Sequence, residues 1–290
     1  MLELAGGPPE WRLGTAGDVL NTSVHLARAG HRVSFLTAVG EDPFSRDMVR
    51  QWQECGIDTS LVLTNPRRGP GLYAVSLDRH GERSFTYWRD SSAAKSMFDL
   101  PRSTEALKAA IDCDLLYFSL ISLAILPPRG QDDLLALAER VRAKGGTVAF
   151  DSNYRAALWP NAEVARKARD RAIAVATTGL PTLEDEAAIE GTPTTAEAVS
   201  SHWASLGCSD VLVKMGAGGC RMASGALAAP RTVLTPVDTS GAGDAFNGGY
   251  LAARLNGASI EEAVMAGHDL AGWTIMHRGA IPPPQATKPG

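Results

Sequence analysis

Short apolar segments alternate with helical ones along most of this chain, and that rhythm restricts the fold more than any other feature. Asp132–Lys144 reads as a helix ending at Gly145-Gly146, and Thr147–Phe150 follows at once as a strand. Arg32–Val39 reads as a strand closed by Gly40, followed by a helix over Phe44–Cys55 that stops at Gly56. Leu115–Phe118 is a further short apolar strand, and Val211–Lys214 is another strand. Asp244–Leu255 is a helix stopped at Asn256-Gly257. Ser259 with Glu262 marks the start of a last helix, reaching about His277, because each side chain can take the other's unpaired backbone N–H. Parallel strands need long crossovers, and helices supply them, so the pattern predicts an α/β fold with a mostly parallel sheet covered on both faces.

One stretch departs from the rhythm. Gly71–Leu77, a turn at Asp78–Gly81 and Glu82–Arg89 read as two strands of a hairpin, an insertion suited to a lid. Alternation puts Tyr87 and Arg89 on one face of its second strand. A solvated hairpin with ordinary cross-strand aromatics is the plainer reading of the residues alone. The chain's 290 residues suit one large domain with a small lid. A net charge of -4 leaves no footprint for nucleic acid, and no apolar run approaches the ~18 residues that span a bilayer. The four cysteines are far apart in sequence, which argues against structural zinc or a disulfide framework and fits a reducing cytoplasm. The Pro-rich tail, 282–290, is expected to fray.

The chemistry concentrates in Asp238-Thr-Ser-Gly-Ala-Gly-Asp-Ala-Phe-Asn-Gly-Gly-Tyr250. Gly241 and Gly243 stand just before a helix, where unpaired N–H groups and the helix dipole favour an anion. Asp244 falls in the first turn. A carboxylate there can take a proton from an alcohol while the amides of Gly241, Ala242 and Gly243 hold the charge growing on a phosphoryl group. The same aspartate could simply cap its helix. There is no G-x-x-x-x-G-K-[ST] phosphate loop, and Gly216-Ala-Gly-Gly219 lacks dinucleotide-fingerprint spacing.

The string Asp238–Gly249 resembles the C-terminal signature of the ribokinase-like (PfkB) carbohydrate kinases, almost letter for letter. The resemblance extends over nearly the whole chain and implies a three-layer α/β/α sandwich with a small β lid at about 70–90. It also implies a full buried strand ahead of the region of Trp11. Met1-Leu-Glu-Leu stands where that strand ends, so a truncated first strand is expected. Pro70–Tyr73 with Phe85–Arg89, Ile121–Leu126, and Asp151-Ser-Asn-Tyr-Arg155 are similar to the 2-keto-3-deoxygluconate kinases within that family.

What the resemblance implies is specific. Asp244 becomes the catalytic base, and Gly241, Ala242 and Gly243 the anion hole. Gly17, Asp18, Asn21, Tyr73, Tyr87, Arg89 and Arg155 become substrate contacts, the arginines suiting the carboxylate of a sugar acid. Asn153, Thr182, Lys214, Gly216, Gly218 and Gly219 fall on the ATP side, with His268 and Ala271 near the adenine. Mg²⁺ would be held at Asp185, inside Thr182-Leu-Glu-Asp-Glu186. The implied activity is ATP-dependent phosphorylation of 2-keto-3-deoxygluconate. Fructokinase or ribokinase specificity and a non-catalytic sugar-binding homologue are the alternatives. Homo-oligomers through lid contacts are common in the family, and the resemblance extends that expectation here without a size. Leu120 stands where the subfamily has glycine, either in the sugar pocket or against the core.

Overall fold

A strand such as Thr147–Asp151, whose three central residues are consecutive and apolar, can persist only where both faces are covered. The computed structural model, which describes residues 1–7, 9–77 and 83–283, provides that cover. It divides into two units, Met1–Ala106 and Leu107–Gly290.

The first unit contains β1 (Leu2–Gly7), β2 (Glu10–Thr15), α1 (Asp18–Arg28), β3 (Val33–Ser34), β4 (Thr37–Val39), α2 (Pro43–Glu54), β5 (Ile57–Asp58), β6 (Val62–Thr64), β7 (Leu72–Leu77) and β8 (Arg83–Trp88). One sheet has the order β2-β1-β7-β8. Its β1 pairs antiparallel with β2 and parallel with β7, placing Glu3 opposite Tyr73. The predicted hairpin is β7–β8, with Tyr73 opposite Tyr87; its turn at 78–82 lies outside the described residues. The single strand expected over Arg32–Val39 is two. Phe35 donates its N–H to Asp58 O (3.0 Å) and packs edge-on against Trp52 at 5.2 Å. The chain then changes partner, so β3 pairs with β5 and β4 with β6. Asp42 caps α2 by accepting from the Ser45 N–H at 2.9 Å, with Pro43 at its first position.

Helix α3 (Ser103–Ala110) leads into the second unit. That unit holds β9 (Leu115–Ser119), α4 (Leu120–Ile125), α5 (Pro128–Ala143), β10 (Thr147–Asp151), α6 (Ala162–Val175), β11 (Thr178–Gly179), α7 (Leu183–Glu190), α8 (Ala196–Ser205), β12 (Asp210–Val211), β13 (Val213–Lys214), β14 (Cys220–Arg221), β15 (Leu227–Ala228), α9 (Ala242–Leu255) and α10 (Ile260–Ile275). Strands β12-β11-β10-β9 form a parallel sheet. Phe118, Phe150 and Trp203 stack through its core at 5.2 and 5.5 Å between ring centroids. Each such side chain contributes roughly 1.5–3 kcal/mol by leaving water. Leu120 is fully buried at the start of α4, so it belongs to this core.

The strand expected over Val211–Lys214 is again split. Leu212 still bonds to Gly179 O (2.9 Å), after which β13 leaves the parallel sheet and joins β14 and β15 in an antiparallel one. Helix α5 begins four residues earlier than Asp132, because Pro128 is suited to a first turn. The Ser259–Glu262 capping box is present, and α10 ends at Ile275 rather than His277. No helix among the described residues is long and apolar enough to cross a membrane.

Candidate active site

Ligands of parallel α/β sheets bind beyond the carboxyl ends of the strands. In the second unit those ends carry Ser119, Asp151 and the 180–182 segment after β11. A cavity of about 110 Å³ lies at the opposite, amino ends, among Leu115, Thr147, Thr178 and Asp210, and holds none of the predicted site residues.

The predicted anion hole is built as a left-handed turn into α9. Gly241 adopts φ +71°, and a β-carbon there would lie 2.6 Å from the Ala280 β-carbon, so both backbone and space require glycine. Asp238 braces the approach, accepting from the N–H of Ser240 (2.8 Å) and of Gly279 (2.9 Å). Asp244 follows in the first turn, half-buried. The rest of α9 is held down by α10, where Gly267 lets the Phe246 ring approach so closely that a β-carbon would meet it at 2.9 Å.

Behind this turn lies a polar cluster that the sequence did not reveal. Lys214, only 7% exposed, donates from Nζ to Asp151 Oδ2 (3.1 Å) and Asn247 Oδ1 (3.0 Å). Asn247 Nδ2 donates to Asp151 Oδ2 (2.6 Å) and to the Tyr117 hydroxyl (3.0 Å). Asp151 Oδ1 accepts the Asn153 N–H at 3.2 Å. A β-carbon on Gly243 would lie 3.8 Å from Lys214 Nζ, so the ammonium stands beside the backbone at the start of α9. Thr182 bridges to Lys214 in parallel fashion and donates its N–H to Ser152 Oγ (3.2 Å). Five predicted residues, Asn153, Thr182, Lys214, Gly243 and Asp185, therefore surround one cluster with Asp151 at its centre.

Asp185 and Arg155, predicted for metal and substrate, face each other, with Arg155 Nη1 3.4 Å from Asp185 Oδ1. Burial pushes the Asp185 carboxyl up to about 6; Arg155 and Lys214 oppose this, and the Asp151 charge adds to it. Among the described residues no group of three or more His, Cys, Asp or Glu could enclose a metal. Mg²⁺ needs few protein ligands when phosphates and waters complete its shell. Asp185 fits that limited role, since Asp151 is engaged by Lys214.

The glycine-rich loop Gly216–Gly218 follows β13 as a tight turn, closed by a bond from the Met215 N–H to Gly219 O (2.8 Å). His268 is buried, with Nε2 3.0 Å from Ala228 O and its ring edge-on to Phe246. Ala271, one turn on, is partly exposed.

In the first unit, Gly17 caps α1 and accepts at its carbonyl from the Asn21 N–H (2.7 Å), so Asp18 and Asn21 share the first turn. Tyr73 and Tyr87 pack at 5.9 Å, the Arg89 guanidinium lies 4.1 Å over the Tyr87 ring, and the Tyr73 hydroxyl bonds to Glu3. Three predicted contacts thus form one aromatic and cationic cluster on the sheet. Glu3 was missed; its only signal would have been the register of β1 against β7.

A glycine turn at a helix start with a carboxylate in its first turn is compatible with the phosphoryl transfer to an alcohol expected from the sequence. The pfkB family carbohydrate kinase model matches residues 3–287. The chain is 39% identical over 296 residues to the 2-dehydro-3-deoxygluconokinase of Escherichia coli K12, covering 99% of this chain and 96% of that one. It is 37% identical over 297 residues to the enzyme of the same name from Dickeya dadantii, covering 99% and 95%. The structure superposes on fructokinase from Vibrio cholerae O395, solved with fructose, ADP and calcium, with a TM-score of 0.82 and 27% identity over 97% of this chain and 91% of that one. This chain belongs to the pfkB family of carbohydrate kinases and has its ribokinase-like α/β fold.

Proposed function

We propose that this chain transfers the γ-phosphoryl group of ATP to the terminal hydroxyl of 2-keto-3-deoxygluconate, giving the 6-phosphate and ADP. The observation that carries the reading is the glycine turn at Gly241 with Asp244 in the first turn of α9, in a chain 39% identical over nearly its full length to an enzyme of that name. Asp244 accepts the proton of the 6-hydroxyl as its oxygen bonds to phosphorus and the bond to the β-phosphate bridge breaks. The amides of 241–243 and the α9 dipole stabilise the charge on the transferred group. Mg²⁺, when bound with ATP near Asp185, would neutralise phosphate charge.

Tyr73, Tyr87, Gly17, Asp18 and Asn21 serve the sugar, and Arg89 takes its carboxylate. Asn153, Thr182 and the 216–219 loop serve ATP, and His268 and Ala271 flank the adenine. Arg155, expected at the substrate, pairs with Asp185, the residue proposed for the metal; that pairing supports assigning it there, so the sugar-acid reading leans on Arg89. A coupled ADP-release assay with 2-keto-3-deoxygluconate, gluconate, fructose and ribose tests the proposal. The sugar acid should give the highest kcat/KM. A preference for fructose or ribose would sink the substrate assignment and leave the kinase.

A further inference from the structure

The buried cluster around Lys214 is more elaborate than a fold needs. A buried ion pair adds little stability over well-packed apolar groups of similar volume, so its retention calls for another reason. Three features of its geometry supply one.

The cluster joins elements that are distant in sequence but adjacent at the strand ends. Asp151 ends β10, Lys214 ends β13, Tyr117 lies in β9, and Asn247 lies one turn beyond Asp244 on α9. Asn247 is fully buried and uses both ends of its amide within the cluster. Helix α9 can therefore neither rotate nor slide without breaking bonds to Asp151 or Lys214. The anion hole and Asp244 are the first residues to move if it does, and phosphoryl transfer tolerates little misplacement.

The ammonium also has an electrostatic reach. The ammonium is itself buried and stands beside the solvent-facing Gly243 backbone, where a β-carbon would be 3.8 Å from Nζ. A fixed positive charge in such surroundings favours negative charge developing nearby far more than it would in water. Asp151 offsets this charge, but the ammonium end of the pair is the end nearer the helix start: Lys214 Nζ, and no Asp151 atom, lies within 4 Å of a β-carbon at Gly243. Lys214 is thus committed to internal acceptors and stands behind the phosphate site.

We propose that Lys214, clamped between Asp151 and Asn247, is a positioning residue for phosphoryl transfer: it registers the first turns of α9 against the strand ends and places a fixed positive charge behind the anion hole. The inference rests on the kinase reading above.

The test compares Lys214→Met with the double variant Asp151→Asn/Lys214→Met, which leaves no unpaired carboxylate. Steady-state kinetics with the preferred sugar and ATP are measured beside melting temperature. Losing a direct oxyanion donor costs about 10²–10³ in kcat, so an indirect group should cost roughly 10–100-fold. Lys214→Met should show that loss, with KM for sugar and ATP within about threefold, and a lower melting temperature. The double variant should recover most of the melting temperature while kcat stays roughly tenfold or more down. Recovery of kcat along with stability would reduce the cluster to a structural brace and overturn the proposal. So would a large rise in KM for ATP with kcat preserved, which would make Lys214 a nucleotide ligand. If the double variant does not fold, Asn247→Leu removes the clamp from the helix side, and a kcat within threefold of the parent would equally overturn it. A parent chain with no sugar-dependent ATP turnover would fail before any variant is made, and would sink the kinase reading together with this one.

Discussion

Replacing Arg89 with leucine separates two contributions whose sizes follow from the structure. The guanidinium lies 4.1 Å above the Tyr87 ring, and Tyr87 packs on Tyr73, which is anchored at Glu3. Removing the cation loses a cation–π contact worth about 0.5–1 kcal/mol at a partly exposed site. That loosens the tyrosine pair for any sugar and should lower kcat/KM by roughly 2–5-fold for acid and neutral substrates alike. The second contribution exists only for a sugar acid. A charge-assisted hydrogen bond to its carboxylate is worth roughly 1.5–3 kcal/mol, or about 10–150-fold in kcat/KM. The ratio of kcat/KM for 2-keto-3-deoxygluconate to that for fructose should therefore fall by about 10–150-fold in Arg89→Leu. Arg89→Lys keeps the charge but not the planar fork, and should recover part of it. Burial lowers the Arg89 pKa, with Tyr87 and Asp90 opposing, but the guanidinium stays charged at any working pH, so the ratio should not titrate between pH 6 and 8. Coupled assays on both substrates at one ionic strength decide the matter. Equal losses on both sugars would refute the carboxylate contact and leave Arg89 as a prop for Tyr87.

Three further outcomes follow from the site. Asp244→Asn keeps the size and loses the base, so kcat should fall by ~10²–10⁴-fold while ATP affinity, read by calorimetry, barely changes; turnover within a few-fold of the parent would make Asp244 a helix cap only. Arg155→Leu breaks a pair whose arginine is exposed and whose Asp185 is half-buried, so it should change melting temperature little, and its kcat/KM losses should be equal for acid and neutral sugars; a loss confined to the acid would return Arg155 to the substrate carboxylate. Gly241→Ala forces a side chain into φ +71° and against Ala280, costing roughly 1–2 kcal/mol from the backbone alone, and should lower both melting temperature and kcat; an unchanged kcat would mean the turn does not shape the anion hole.

The parts of this molecule that were legible in the sequence are those governed by local rules. The capping box at Ser259, the glycine turn into α9 and the β7–β8 hairpin each depend on neighbours within a few residues. What sequence periodicity could not show is where a strand changes partner. Arg32–Val39 and Val211–Lys214 each read as one unbroken strand, and only Asp58 and Gly179, on other strands, divide them. The cluster around Lys214 was hidden for a related reason. Its bonds span 63, 96 and 130 residues, and no local pattern distinguishes Asn247 from any polar residue inside a helix. Glu3 meets Tyr73 across 70 residues, through a register that two short strands do not announce.

The acidic run at the start of α7 shows how burial sorts residues of one chemical kind. Glu184, Asp185 and Glu186 all sit in the first turn, where the helix dipole favours each of them. Glu186 turns inward and meets Arg169 of α6 at 2.9 Å, a fully buried pair in which burial pushes the carboxyl pKa up and the guanidinium holds it down. Glu190, one turn later, reaches the same guanidinium at 2.8 Å, and Asp170 meets it at 2.9 Å. Arg169 thus fastens α7 to α6 at two successive turns. Breaking such a buried group by removing one partner would cost about 3–5 kcal/mol, so α7 has little freedom to rotate. Glu184 is exposed to solvent. With Glu186 anchored and Glu184 solvated, the rotation of α7 directs Asp185 alone toward Arg155 and into the fields of Asp151 and Lys214. The same guanidinium anchor that stabilises α7 therefore sets which carboxylate of the run faces Arg155.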